Sequence, residues 1–341
     1  EAEKTILQAL TDPTEIVQLA AVKALGVLDT PRAREALAEA AHSPSDRVRA
    51  AVMQAIALSE AGRPVLEAGL ADSSPWVRLY ACRGLAVLAP HPQSIARLLD
   101  VARNDSALHV RLTAIEALGT LGGASVQEPL QTLLDDPAAD VREAALRALL
   151  RSAAPVNVPH LWNRLHAHPV EERLQFMRTL QEVQTSNSVH VLTALAWQDE
   201  AFEVRNAALS ALKDMPPSLV SEALVVLAER SPDEIQVLNA CLEMGLAILP
   251  PLLARLSQSD PAFRQRAVKL LQAWAMQSEE ARKALLALSH DADTGVRMAV
   301  VRTLSLLASD DALDCLQRMA HEDPALEVRS AANRALLRVE R

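Results

Sequence analysis

Apolar residues come along this chain in short bursts at helical spacing, and tight polar breaks separate the bursts. The stretch from 124 to 151 shows the pattern clearly. Val126, Leu130, Leu133 and Leu134 recur mostly at intervals of three and four, which puts them on one face of an α-helix. Asp135, Asp136 and Pro137 then interrupt the pattern. Aspartate is a good N-cap and proline fits the first helical turn, so this triplet ends one helix and starts another. Val141, Ala145, Ala148 and Leu149 resume the spacing and predict a second helix from Pro137 to about Arg151. Two short helices of this kind cannot bury their apolar faces alone.

The same two-helix phrase returns along the whole chain. Anchored on one position, called r, the copies run Gln18, Arg49, Arg78, Arg111, Arg142, Arg173 and Arg205, then a degenerate copy near Gln236 to Leu238, then Arg264, Arg297 and Arg329. The ten intervals average about 31 residues, so eleven units fill residues 1–341. A fixed period of this size signals a solenoid, in which each unit packs only against its neighbours. Two helices per unit predict about 22 helices in an all-α array, with the copy around 231–250 the weakest. In most units positions r−1, r+3, r+6, r+7 and r+10 are apolar and form the packed side; positions r+1, r+5 and r+8 are read as exposed.

The run Asp-Pro-x-x-x-Val-Arg-x-x-Ala-x-x-Ala-Leu, seen from Asp136 to Leu149 and from Asp323 to Leu336, resembles HEAT repeats of the short bacterial kind named after the phycobilisome (PBS) lyases. The resemblance implies a right-handed α-solenoid whose second helices line a concave surface. It also implies that Arg and Asp of successive units form a polar ladder, here through Arg49, Arg78, Arg111, Arg142, Arg205, Arg297 and Arg329. In that reading the arginines hold units together and bind nothing else.

Composition narrows the function. Half of the residues are hydrophobic and only 2% are aromatic, which suits closely packed helices rich in Ala and Leu. A net charge of −9 argues against nucleic acid, whose phosphates call for a positive field. Cys82, Cys241 and Cys315 lie far apart, without metal or redox spacing, and read as buried apolar residues in a reducing compartment, which points to the cytoplasm. The apolar stretch from Ile235 to Leu256 is broken by Gln236, Asn239, Glu243, Pro250, Pro251 and Arg255 and reads as a buried helix pair, not a membrane span. The chain begins without Met, and a place within a longer chain is expected.

If the second helices line the groove, column r+1 supplies Leu19, Leu79, Leu112 and Leu174, and column r+5 supplies Lys23, Arg83, Arg147, Arg178, Lys269, Arg302 and Arg334. An apolar stripe beside a basic one suits a protein or peptide segment carrying acidic and apolar residues. Leu79, Arg83, Leu112, Arg147, Leu174 and Arg178 are the expected partner-binding residues, with no catalytic, cofactor or metal site. The only histidine cluster, His160, His166 and His168, falls at an expected turn and reads as solvated. Two alternatives come with the resemblance: an accessory subunit of a HEAT-type enzyme similar to the bilin lyases, and a HEAT-like DNA glycosylase. The second conflicts with the charge and with the dispersal of Trp76, Tyr80, Trp162, Trp197 and Trp274. The expectation is a non-enzymatic scaffold.

Overall fold

The computed structural model describes residues 2–152, 154–230, 234–257, 259–307 and 309–339. The described residues are helices and turns only, and they fall into two compact units, Glu1–Pro169 and Val170–Arg341. Residues 231–233, where the degenerate copy opens, lie outside the described set, as do residues 340–341.

In the first unit the helices alternate as first and second members of each repeat. They are α1 (Ala2–Ala9) and α2 (Glu15–Leu28), α3 (Pro31–Ala40) and α4 (Asp46–Ile56), α5 (Arg63–Gly69) and α6 (Pro75–Val87), α7 (Pro92–Asn104) and α8 (Leu108–Leu121), α9 (Ala124–Thr132) and α10 (Ala139–Arg151), then α11 (Val158–His166). The second unit holds α12 (Val170–Val183), α13 (Ser186–Gln198), α14 (Phe202–Lys213), α15 (Pro217–Arg230), α16 (Glu234–Met244), α17 (Leu249–Leu256), α18 (Pro261–Trp274), α19 (Glu279–Ala287), α20 (Thr294–Leu307), α21 (Asp310–Glu322) and α22 (Leu326–Val339). Among the described residues the expected 22 helices are present, with short 3₁₀ turns after α9 and α19 and before α5 and α17. Within each unit second helices pack on the next second helix, as α2, α4, α6, α8 and α10 do in order, and most first helices pack on the second helix of their own repeat, as α1, α3, α5, α7 and α9 do. The core between the two layers is made of leucine, valine and alanine, with Leu25, Leu85, Leu118, Leu146 and Phe263 fully buried.

The arginine at position r ties three things together. In Arg78, Nη1 donates to the carbonyls of Asp72 (2.8 Å) and Ser73 (3.2 Å), closing the turn that precedes its own helix. Its Nε and Nη2 donate to both carboxylate oxygens of Asp105 in the next repeat, at 2.6 and 2.8 Å. Asp105 in turn accepts from the backbone N–H of Ala107 at 2.8 Å and so fixes the next turn. The same bidentate rung joins Arg49 to Asp72, Arg264 to Asp291 and Arg297 to Asp323. Arg111 faces Asp136 at 3.6 Å, and Arg173 donates to Asp199 at 3.0 Å. Arg142, Arg205 and Arg329 make the turn contacts to Asp136, Asp199 and Asp323 carbonyls. Bidentate guanidinium–carboxylate pairing is the strong, directional form of such a bond. The aspartate is mostly not the helix N-cap that the sequence suggests. It lies two residues earlier: Ala138 is the cap of α10, and the carboxylate of Asp136 accepts from its N–H at 2.8 Å. Asp260, the N-cap of α18, is the exception.

Small residues set how closely the second helices approach. A Cβ placed on Gly26 would lie 2.7 Å from Cβ and 3.0 Å from Cα of Ala55; one on Gly119 would lie 2.8 and 3.0 Å from the same atoms of Ala148. Both glycines occupy r+8, and both alanines occupy r+6 of the following repeat. Position r+8 therefore packs against the next second helix and is not exposed.

The apolar stretch 235–256 is apolar enough to cross a membrane by length and mean hydropathy (1.7), yet Gly245 at φ +63° breaks it into α16 and α17. The expected helix pair is there, but it is buried on one side only: Val237, Cys241, Ile248 and Leu252 are enclosed, whereas Ile235, Leu242 and Leu246 are exposed.

Three predictions follow from this packing. Replacing Gly119 with Leu forces backbone apart at the α8–α10 contact and should cost about 1–3 kcal/mol in thermal or urea unfolding, whereas Gly123→Ala meets no neighbouring atom at its Cβ and its cost reports only the strain of a side chain at φ +85°. Asp105→Ala should cost about 3 kcal/mol, because it leaves Arg78 buried without its partner. A pH titration reads the same rungs. The hydrogen bond from Arg49 holds the Asp72 carboxyl below its ordinary value; burial pushes Asp105 and Asp291 upward, but the bonds from Arg78 and Arg264 outweigh it and leave both lowered. Groups depressed in the fold stabilise it above their unfolded pKa, about 3.9, and that contribution disappears as pH falls through the lower folded value. Stability should therefore hold from pH 7 to about 4 and drop below it, with a shallower drop for Asp105→Asn.

Candidate functional site

The exposed surface of the second helices differs from the one the sequence suggests. Column r+5 is open as expected: Lys23, Gln54, Arg83 and Glu116 are exposed in the first unit, and Arg178, Lys269, Arg302 and Arg334 in the second. Column r+1 is not. Leu79 is 6% exposed, Leu112 is half-buried, and Leu174 is only marginally exposed. The cause is the neighbouring helix. Gln265, at r+1, lies with its Nε2 3.5 Å from Oδ1 of Asp293, and the same Nε2 would meet a Cβ on Gly295 at 2.5 Å. Positions r+1 and r+8 are one heptad apart, share a flank, and pack against the next repeat. An apolar groove stripe at r+1 is thus corrected to an interhelical contact.

The exposed apolar residues stand elsewhere. In the first three repeats they occupy r+9, one turn beyond the basic column: Val27 (77% exposed), Leu58 (70%) and Val87 (70%). Position r−2 adds Ile16 and Trp76, both well exposed. Trp76 lies beside His109, the r−2 residue of the next repeat, with ring centroids 5.5 Å apart. The guanidinium of Arg83 sits 5.9 Å over the ring of Tyr80. Among the described residues neither Lys23 nor Arg83 has a carboxylate within ion-pair reach, whereas Arg47 faces Glu15 at 3.7 Å. Repeats one to three therefore carry parallel lanes, one cationic and one apolar. Rows r−2 and r+9 flank r+5 at steps of seven and four residues, a spacing readable in the sequence once r+5 is taken as the centre.

The lanes change character in repeats four and five. Thr120 and Arg151 take the r+9 place, and Arg147, half-buried, pairs with Glu143 at 2.7 Å instead of standing free. Between α8 and α10 a cavity of about 510 Å³ opens, lined by Glu116, Thr120, Gly122, Gly123, Arg147 and Arg151. Gly122 and Gly123 hold φ values of +63° and +85°, conformations that favour glycine. In the second unit, Leu174 and Arg178 belong to α12, and Phe202 carries the guanidinium of Arg205 5.8 Å over its ring.

The remaining candidate chemistry resolves into packing. His160 and His166 lie within α11, not in a turn, since helix continues from Val158 to His166. His166 stacks on Trp162 with centroids 4.7 Å apart, and His168 Nε2 is 3.8 Å from Asp135, which also pairs with Arg164. Among the described residues no group of three or more His, Cys, Asp or Glu is placed to hold a metal ion. All three cysteines are buried and unpaired; burial pushes the Cys82 and Cys241 thiols up to about 12, the opposite of nucleophile activation.

Comparison with known proteins agrees with this architecture. Among solved structures, similar ones include the CpcE–CpcF complex of phycocyanin lyase from Nostoc sp. (18% identity, 71% of this chain and 94% of that chain, TM-score 0.38) and human deoxyhypusine hydroxylase in complex with glycerol (21%, 93% and 99%, TM-score 0.32). Kap95p bound to RanGDP is a third (12%, 99% and 55%, TM-score 0.39). At these scores none of them bears on what this chain binds or does. No curated protein matches the sequence. The family profile described as HEAT repeats matches residues 1–58, 63–150 and 249–337. Matched over more than half of its length, the chain belongs to the HEAT-repeat family.

Proposed function

We propose that this chain is a non-enzymatic scaffold that binds a protein partner on the exposed face of its second helices, chiefly α2, α4 and α6. The observation that carries the reading is the pair of lanes there. Val27 and Val87, at the C-terminal ends of α2 and α6, and Leu58, in the turn just after α4, leave large apolar side chains in water at the same repeat position, next to Lys23 and Arg83 without carboxylate partners. Neither lane is needed by the fold. Core contacts come from r−1, r+3, r+6 and r+7, and the ladder arginines at r are already satisfied. Scattered exposed apolar residues are ordinary, but Val27, Leu58 and Val87 recurring at one repeat position are the mark of an interaction surface. The basic lane in a chain of net charge −9 selects partners with acidic residues and speeds their encounter. Of the residues expected from sequence, Arg83 stays in this proposed surface in the first unit and Arg178 is an exposed cation in the second. Leu79, Leu112 and Arg147 act in packing and pairing instead, and Leu174 stands at the edge of exposure.

A photo-crosslinking amino acid at Gln54, in the middle of the lanes, tests this against the same group at Arg32 on the first-helix layer. The expected outcome is a defined adduct from Gln54 in cells, absent from Arg32 and lost when Leu58→Asp is added. Equal labelling at both positions, or an adduct indifferent to Leu58→Asp, would overturn the proposal. Circular dichroism checks that Leu58→Asp still folds; at so exposed a site its stability should change by less than about 0.5 kcal/mol.

A further inference from the structure

We infer that the segment docking on α2, α4 and α6 is itself an α-helix, acidic along one edge, with large apolar residues every seventh position. The inference rests on the protein-docking reading above and adds the conformation and spacing of the partner.

Spacing comes first. The apolar lane has one residue per repeat, and neighbouring second helices packed through small residues stand roughly 8–10 Å apart. Gly26 against Ala55 is such a close contact, and it holds α2 and α4 side by side with only a two-residue slip in register. A segment crossing these helices must therefore offer an apolar side chain about every 10 Å on one face. An α-helix rises 1.5 Å per residue, so seven residues span about 10.5 Å and return to nearly the same face. A β-strand covers the distance in about three residues, but its side chains alternate, so every second contact would point away.

The polyproline helix also repeats close to 10 Å, about 9.3 Å per three-residue turn, and here the lining decides. A docked strand buries backbone N–H and C=O groups that need side-chain amides or hydroxyls in the groove, and a polyproline segment keeps its backbone hydrated and needs a groove lined by aromatic rings. One turn before the basic lane stand Ala20, Ala51 and Tyr80, and the lanes themselves supply Val27, Leu58, Val87, Lys23, Gln54 and Arg83. Gln54 and Tyr80 are the only neutral hydrogen-bonding groups among these nine. An α-helix brings its backbone already bonded and asks the surface only for apolar contact and charge. This surface offers both.

Charge sets the edge. Each cation stands four residues before its apolar neighbour, Lys23 before Val27 and Arg83 before Val87, about 6 Å along the second helix. A docked helix with leucine-like residues over the apolar lane then turns its next column, three or four residues away, toward Lys23 and Arg83. Glutamate or aspartate there meets two cations that have no carboxylate of their own among the described residues.

Panning a random library of 20-residue peptides on the intact chain tests the inference, with counter-selection on the Leu58→Asp variant. The expected result is a set of peptides with apolar residues at i, i+7 and i+14 and acidic residues three or four positions away. A synthetic member should gain helical circular dichroism on binding, bind at least tenfold more weakly to Arg83→Glu, and weaken with salt. Recovery of proline-rich or strand-patterned peptides that depend on Leu58 would overturn the helical partner while keeping the docking face. Recovery of no peptide that distinguishes the parent from Leu58→Asp would overturn the inference, and the crosslinking from Gln54 would then decide alone whether the face docks a protein of another shape.

Discussion

The bond from the r-position arginine to the aspartate of the next repeat is the constraint that orders everything else. At Arg49, Arg78, Arg264 and Arg297 the guanidinium closes its own inter-helix turn through Nη1 and reaches forward through Nε and Nη2, and the receiving carboxylate holds the next turn through a backbone N–H. In those repeats one residue pair fixes the angle within a repeat and the register to the next at once. The pairs are largely shielded from water, as with Arg297 and Asp323 at 7% and 3% side-chain exposure. Losing one partner there is far costlier than losing a surface ion pair.

With register fixed, side chains decide how closely the helices settle. Glycine at r+8 over alanine at r+6 lets α2 and α4, and α8 and α10, come nearly to backbone contact. That closeness removes r+1 and r+8 from solvent and leaves a narrow strip of each second helix exposed. The strip is where a partner has to bind, and in repeats one to three it is cationic and apolar together. The same strip in repeats four and five carries Thr120, Arg151 and the Arg147–Glu143 pair, so within the first unit its apolar character ends with Val87.

The middle of the chain departs from the pattern, and the departures coincide. The family profile stops at 150 and resumes at 249. Ala167 stands where an aspartate would answer Arg142, and the copy near Gln236 has no arginine at all. In this stretch Arg173 and Asp199 form an enclosed rung, and Gly245 turns an otherwise continuous apolar run into two helices.

Sequence by itself determined the period and the count of helices, which depend on features local to one repeat: a 3.6-residue spacing, an Asp-Pro break, and an arginine six residues after the aspartate. The ladder came only with the family resemblance; of the arginines it named, Arg49, Arg78, Arg111 and Arg297 face the aspartate of the next repeat. The candidate surface was only half legible. On a helical wheel at about 100° per residue, r+1 lies about 40° from r+5, while r−2, r+9 and r+2 lie within about 60° on its other side. Nothing in one helix says which of those two sides its neighbour will cover. Tertiary packing placed the next helix on the r+1 and r+8 side, through the Gly26–Ala55 and Gly119–Ala148 contacts. It therefore buried Leu79 and left Val27, Leu58 and Val87 in water.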